Sequence, residues 1–155
     1  MRSTEISQNS KINIHVVKKN RYERCNHEKF KIRYHIILST KYRKRLLDPI
    51  AETIMSSMEQ AASMTKDWSI EVMEIDKEKA DHIHFLIRAT PKVCVFDIIH
   101  KLKQVSTYNV WQKHNSYMRR LYWSGKHYLW TRGYFCTSIG EVSEETLTRY
   151  IENQG

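Results

Sequence analysis

The chain has 155 residues, 41% of them hydrophobic, enough to bury one real core and nothing to suggest a second. Lysine and arginine outnumber aspartate and glutamate 26 to 17, leaving a net charge of +9. Cys25, Cys94 and Cys136 are widely spaced and form no CxxC, so they support neither a disulfide framework nor a cysteine zinc site. They fit a reducing, cytoplasmic setting. No apolar run approaches the roughly 20 residues of a membrane span, and the N-terminus is too polar for a signal peptide.

The positive excess points to a polyanionic partner. Aromatic residues make up 11% of the chain and sit beside cations in Lys41-Tyr42-Arg43, Arg119-Arg120-Leu121-Tyr122-Trp123 and Trp130-Thr131-Arg132. Alternating charges and flat rings suit single-stranded nucleic acid, whose phosphates need cations and whose unpaired bases need a surface to stack on. A basic solvated surface over ordinary core aromatics has the same composition.

In chain order, residues 1–28 form a polar N-terminal extension. Met1 to Ser10 is expected to be disordered, and Ile12, Ile14 and Val16 alternate as an edge strand or part of the tail would. Residues 29–155 then form a single domain. Phe30, Ile32, Tyr34, Ile36 and Leu38 alternate with Lys31, Arg33, His35, Ile37 and Ser39, which predicts a first strand with three basic-capable side chains on its second face. A dense basic loop follows, from Thr40 to Arg45. Asp48-Pro49 predicts a helix start with a carboxylate cap, and an apolar stripe from Ile50 carries the helix to about Thr65. A second strand takes Trp68, Ile70, Val72 and either Met73 or Ile75, and ends in the charged turn 76–79.

Asp81-His82-Ile83-His84-Phe85-Leu86-Ile87 predicts a third strand, hairpin partner of the second. Ile83, Phe85 and Ile87 share one face, and His82 and His84 share the other. Residues i and i+2 of a strand are roughly 7 Å apart at the backbone, so the two imidazoles can converge on one ion. They are equally consistent with two polar residues on a solvated sheet face.

After Thr90-Pro91-Lys92, the spacing predicts a long helix from Val95 to about Tyr117. It buries Phe96, Ile99, Leu102, Val105 or Ser106, Asn109 and Val110, and exposes Lys101, Lys103 and Lys113. An aromatic, basic connection over 115–126 leads to a last strand, Tyr134 to Ile139. Ser143 then caps a terminal helix with Glu144 and Glu145 in its first turn. The order is strand, helix, strand, strand, helix, strand, helix. This is the α+β, ferredoxin-like (RRM-like) βαββαβ sandwich, an antiparallel sheet backed by two helices, plus a C-terminal helix. Its first and third strands are central neighbours, which puts His82 and His84 mid-sheet.

Tyr150 and Gln154 are one turn apart on the terminal helix and share a face. Beside two imidazoles, a phenol and a carboxamide make a nucleophile and a third metal ligand. A phenol is a weak nucleophile at neutral pH, and a divalent cation on the scissile phosphate supplies the missing activation. The competing reading packs Tyr150 with Leu147 and Ile151 in an amphipathic stripe.

His82-Ile83-His84, Lys41-Tyr42-Arg43, the stretch from Trp130 to Phe135 and the ending Tyr150-Ile151-Glu152-Asn153-Gln154 together resemble the single-tyrosine HUH transposases (TnpA type) of minimal insertion sequences. The resemblance runs from about Phe30 to Gln154. It implies that His82, His84 and Gln154 hold Mg²⁺ or Mn²⁺, and that Tyr150 attacks a phosphodiester of single-stranded DNA. That attack leaves a 5′-phosphotyrosine and a free 3′-hydroxyl, and strand transfer reverses it at a new site. It also implies a homodimer, in which the tyrosine helix docks on its own or the partner subunit, and DNA partners with hairpin ends. Lys41, Arg43, Lys44 and Arg45, Lys101 and Lys103 of the long helix, and Arg132 are then expected to contact DNA. A related enzyme that nicks hairpin repeats without mobilising itself would share this chemistry. A non-catalytic single-stranded nucleic-acid-binding module would share the fold and leave Tyr150 and Gln154 without a task.

Overall fold

A computed structural model describes residues 23–25, 28–140 and 143–153. The expectations placed on 1–22, and the ligand role of Gln154, lie outside the described residues. The described elements are β1 (Glu23–Cys25), β2 (Glu28–Phe30), β3 (Ile32–Ser39), α1 (Ala51–Ser63), β4 (Trp68–Ile75), β5 (His82–Ala89), α2 (Val95–Lys113), α3 (Asn115–Leu121), β6 (Phe135–Ser138) and α4 (Ser143–Asn153). Four strands form one antiparallel sheet in the order β4-β5-β3-β6, as the ferredoxin-like layout requires, so β3 and β5 are the central pair. No helix among the described residues is long and apolar enough to cross a membrane.

Period-two alternation gives the sheet two unlike faces. Ile36 and Leu38 of β3 and Ile83, Phe85, Ile87 and Ala89 of β5 point to one side. There they pack with Ile54, Met58 and Ala61 of α1 and Ile98, Ile99, Leu102 and Val110 of α2 into the main core. The opposite face carries Arg33 and His35 from β3 and His82, His84 and Leu86 from β5. The register sets His35 against Leu86 and His84 against Ile37.

Several boundaries differ from the sequence expectations, each for a local reason. Phe30 leaves the first strand and joins β2, which pairs with β1, so the break placed at residue 28 falls within a strand. Asp48 makes no side-chain cap. Its segment is a short 3-10 turn with Pro49 near the start, and α1 begins at Ala51. On β4 the pairing register shifts between Ile70 and Val72, which takes Val72 off the helix-covered face and sets it beside Leu86 on the histidine face. The long helix stops at Lys113, because His114 leaves helical geometry while its Nε2 bonds Thr53 Oγ1 of α1 at 2.7 Å. The chain restarts as α3, whose Met118 is buried. Tyr117 Oη donates to the Leu46 carbonyl, and Tyr122 Oη, just past α3, to that of Lys41. Phe96, expected inside, is 60% exposed and stacks on His100.

Candidate active site

The site is built on the central strands and their register. His82 and His84 project from β5 with ring centroids 5.0 Å apart. Asp81 turns its buried carboxylate back onto its neighbour, with Oδ1 2.6 Å from His82 Nδ1. An ionised carboxylate can only accept, so Nδ1 donates its proton to that bond and Nε2 is the other ring nitrogen. Asp76 Oδ2 is 3.7 Å from that Nε2.

His84 is held differently. Its Nδ1 shares a 3.1 Å hydrogen bond with Nε2 of His35, the diagonal neighbour on β3, and the two rings stack at 5.4 Å. His35 in turn meets the Phe135 ring edge-on. His84 is only 5% exposed, and its Nε2 has no hydrogen-bond partner. Burial, helped by the neighbouring His82 and His35, pushes its pKa down to about 4, so the imidazole is neutral with a lone pair available near neutral pH. Burial lowers His35 as well.

A third group completes the floor. Glu74 of β4 stands opposite His84 in the sheet and is 6% exposed, and its Oε2 has no partner. Burial raises its pKa; Lys77 opposes that shift, and Glu152 and Asp76 add to it. The Glu152 effect brings in the terminal helix. Ile151, 1% exposed, packs with Val72 and Leu86, so α4 lies on the histidine face and not among the core helices. Tyr150 does not join that packing. It is 52% exposed.

A divalent ion suits this donor set. Both His82 and His84 have Nδ1 engaged, which leaves Nε2 as the atom a ligand would meet, the usual way a protein prepares imidazole ligands. One of those nitrogens is buried without a partner, which is costly until something binds it. Among the described residues, no group of three or more His, Cys, Asp and Glu side chains is arranged to hold an ion directly.

The candidate DNA contacts divide. Arg45 and Arg132 are exposed and Lys101 is half-buried. Lys41 sits over the rings of Tyr42 and Tyr128 at 5.0 and 5.2 Å, and Lys44 over Tyr122 at 5.7 Å, so aromatic faces steady both cations beside the basic turn. Arg43 bonds Ser39 Oγ at 2.8 Å and pairs with Asp81 Oδ2 at 3.0 Å, through the carboxylate that also holds His82. Lys103, expected on or near the exposed helix surface, is half-buried and held by the chain itself. Its half-buried ammonium donates to the carbonyls of Thr131, Arg132 and Gly133 at 2.8–3.1 Å and clamps the approach to β6. Sequence reading gave His35, Glu74 and Asp81 no part in the site. Asp81 alone had a visible signal, its place next to His82.

With this geometry in hand, comparison with known proteins is specific. The chain belongs to the IS200-like transposase family, whose model, described as "Transposase IS200 like", matches residues 28–154. It is a DNA transposase of the TnpA type. One relative, the ISDra2 transposase TnpA of Deinococcus radiodurans, is 26% identical over 126 residues, covering 81% of this chain and 85% of that protein. The crystal structure of a candidate transposase from Deinococcus radiodurans R1 superposes with a TM-score of 0.66 at 25% identity, over 85% of this chain and 97% of its own. A REP-associated tyrosine transposase bound to a REP hairpin shares the fold, with a TM-score of 0.54 at 9% identity, over 84% of this chain and 68% of that one.

Proposed function

We propose that this transposase is metal-dependent and acts on single-stranded DNA, cleaving and rejoining hairpin-bearing insertion-sequence ends through a 5′-phosphotyrosine on Tyr150. The observation that carries the reading is the meeting, on one sheet face, of two imidazoles held through Nδ1, one with its Nε2 unpartnered, and the helix that presents an exposed tyrosine. His82 and His84 would hold Mg²⁺ or Mn²⁺, with Gln154 as the third protein ligand. When bound, the ion withdraws charge from the scissile phosphate. Asp81 and His35 fix the two imidazoles, and Ile151 seats the helix that delivers the phenol. The Tyr150 oxygen bonds to phosphorus as the bond from phosphorus to the 3′ oxygen breaks. The phenolic proton is lost to water, and the leaving oxygen takes a proton from water to end as a 3′-hydroxyl. A second 3′-hydroxyl attacking the phosphotyrosine reverses these changes and frees Tyr150. The hairpin carried by the fold neighbour supports a folded DNA end as substrate, and the family resemblance supports a homodimer.

The test is cleavage of labelled single-stranded hairpin DNA from the gene's own flanks, with Mg²⁺, with chelator, and with Tyr150→Phe. A covalent protein–DNA species that needs the metal and is absent from the Phe variant is the expected result. Tight binding with no adduct under any divalent ion would sink the enzymatic mechanism and favour a DNA-binding role for this copy.

A further inference from the structure

Two buried polar atoms on the histidine face have no partner, and they belong to residues that face each other across neighbouring strands: His84 Nε2 on β5 and Glu74 Oε2 on β4. Chance placement of one such atom is tolerable, since each costs roughly 1–3 kcal/mol of lost solvation. Two on facing residues, a carboxylate oxygen and an imidazole nitrogen, mark a place suited to something electron-poor. The pair is more than nine-tenths buried at both residues. It is placed by the one-residue register shift on β4, without which Glu74 would point into the helix-covered core.

We propose that Glu74 is a cation-positioning residue of this site, taking a hydrogen bond from water on the divalent ion that His82 and His84 ligate. This rests on the reading of those histidines as metal ligands. The described side chains do not form a three-ligand cage, so Glu74 acts through water. Mg²⁺ gives up its waters reluctantly and commonly keeps several of them, which suits a carboxylate one shell out. The charged groups around Glu74 favour a cation beside it: Glu152 and Asp76 are carboxylates, and Lys77 is the one opposing charge acting on it. Glu152 belongs to the tyrosine helix, so an ion drawn toward Glu74 also relieves repulsion between that helix and β4.

The experiment is Mn²⁺ binding to the full chain without DNA, followed by the loss of the free-ion electron paramagnetic resonance signal, in wild type, Glu74→Gln, Glu74→Asp and His84→Ala. Glu74→Gln is expected to weaken Mn²⁺ by about 10- to 100-fold, with Glu74→Asp intermediate. At saturating Mn²⁺, imidazole nitrogen couplings should persist in Glu74→Gln, showing that the ligands themselves are intact. The metal-free Glu74→Gln protein should melt at a higher temperature than wild type, because an unpaired buried carboxylate has been removed. A merely structural Glu74 would not give opposite signs for stability and metal affinity. If Glu74→Gln binds Mn²⁺ as wild type does while His84→Ala does not, the Glu74 proposal is overturned and the histidine reading stands. If wild type fails to bind Mn²⁺, both fall together.

Discussion

The two faces of the sheet are made from the same strands by the same alternation, yet they obey opposite rules. On the helix-covered side, Ile36, Leu38, Ile83, Phe85 and Ile87 are apolar and buried, with Ile70 and Met73 partly buried at the β4 edge. On the other side, Arg33, His35, Glu74, Asp81 and His84 are buried as well. Some of their atoms are paired, as in the 2.9 Å contact of Arg33 with Glu71, and others are not. One face is closed by apolar packing, and the other keeps buried polar atoms without partners at some cost in stability. The lesson is that burial alone does not identify a core.

The contrast can be broken most strongly from the apolar side. Phe85→Ala empties the centre of the core and should cost about 3–5 kcal/mol, lowering the melting temperature by on the order of 10 °C. The Mn²⁺ affinity of the molecules that remain folded should stay near wild type. Denaturant melts and metal titrations on one preparation would check both halves. A large loss of metal affinity in the folded fraction would show that the faces are not separable.

Ile151→Ala attacks the other face and should act locally. Its loss of packing against Val72 and Leu86 falls on the docking of α4. Adduct formation should drop by about tenfold or more while the global melt moves little. Hydrogen exchange resolved along the chain would show faster exchange over 143–153 and unchanged protection in β3 and β5.

Acid titration gives the smallest and most discriminating effect. His84 titrates near 4 in the folded chain and near 6.5 when free. Between those values the unfolded chain holds the extra proton. The His84 contribution is therefore intact above about pH 6.5 and is lost as the pH falls toward 4. Glu74, shifted upward, works in the opposite sense. Comparison of wild type with His84→Asn, both metal-free, isolates the histidine: the variant should show a shallower loss of stability across this window. Parallel acid limbs would mean that His84 is far less buried than its surroundings indicate.

Much of this was legible in the chain itself. Alternation in β3 and β5 is clear apart from Ile37 and Leu86, so the strands and the shared direction of His82 and His84 follow from period two, and the strand order from the strand–helix succession. The terminal helix announces itself by its cap and spacing, though not the face it covers. Glu74 was hidden because a one-residue shift after Ile70 reverses which side chains face the core, and nothing in Trp68-Ser69-Ile70-Glu71-Val72 marks it. His35 was hidden because its bond to His84 is diagonal and depends on register, which sequence spacing does not carry. The helix break at His114 escaped because apolar spacing continues through it, while the side-chain bond to Thr53 that accompanies the break is distant in sequence.

Asp81 holds His82 with one carboxylate oxygen and Arg43 with the other, and its carbonyl receives the Thr40 amide at 2.8 Å. The start of the basic turn and the histidine therefore move as one body. Tyr42 and Arg43 are also locked at φ 63° and 52°, a backbone shape few side chains accept. Evolutionary freedom is thus divided within a few residues. Exposed Arg45 can be exchanged at little cost to the fold, while a change at Arg43 is felt at the histidine.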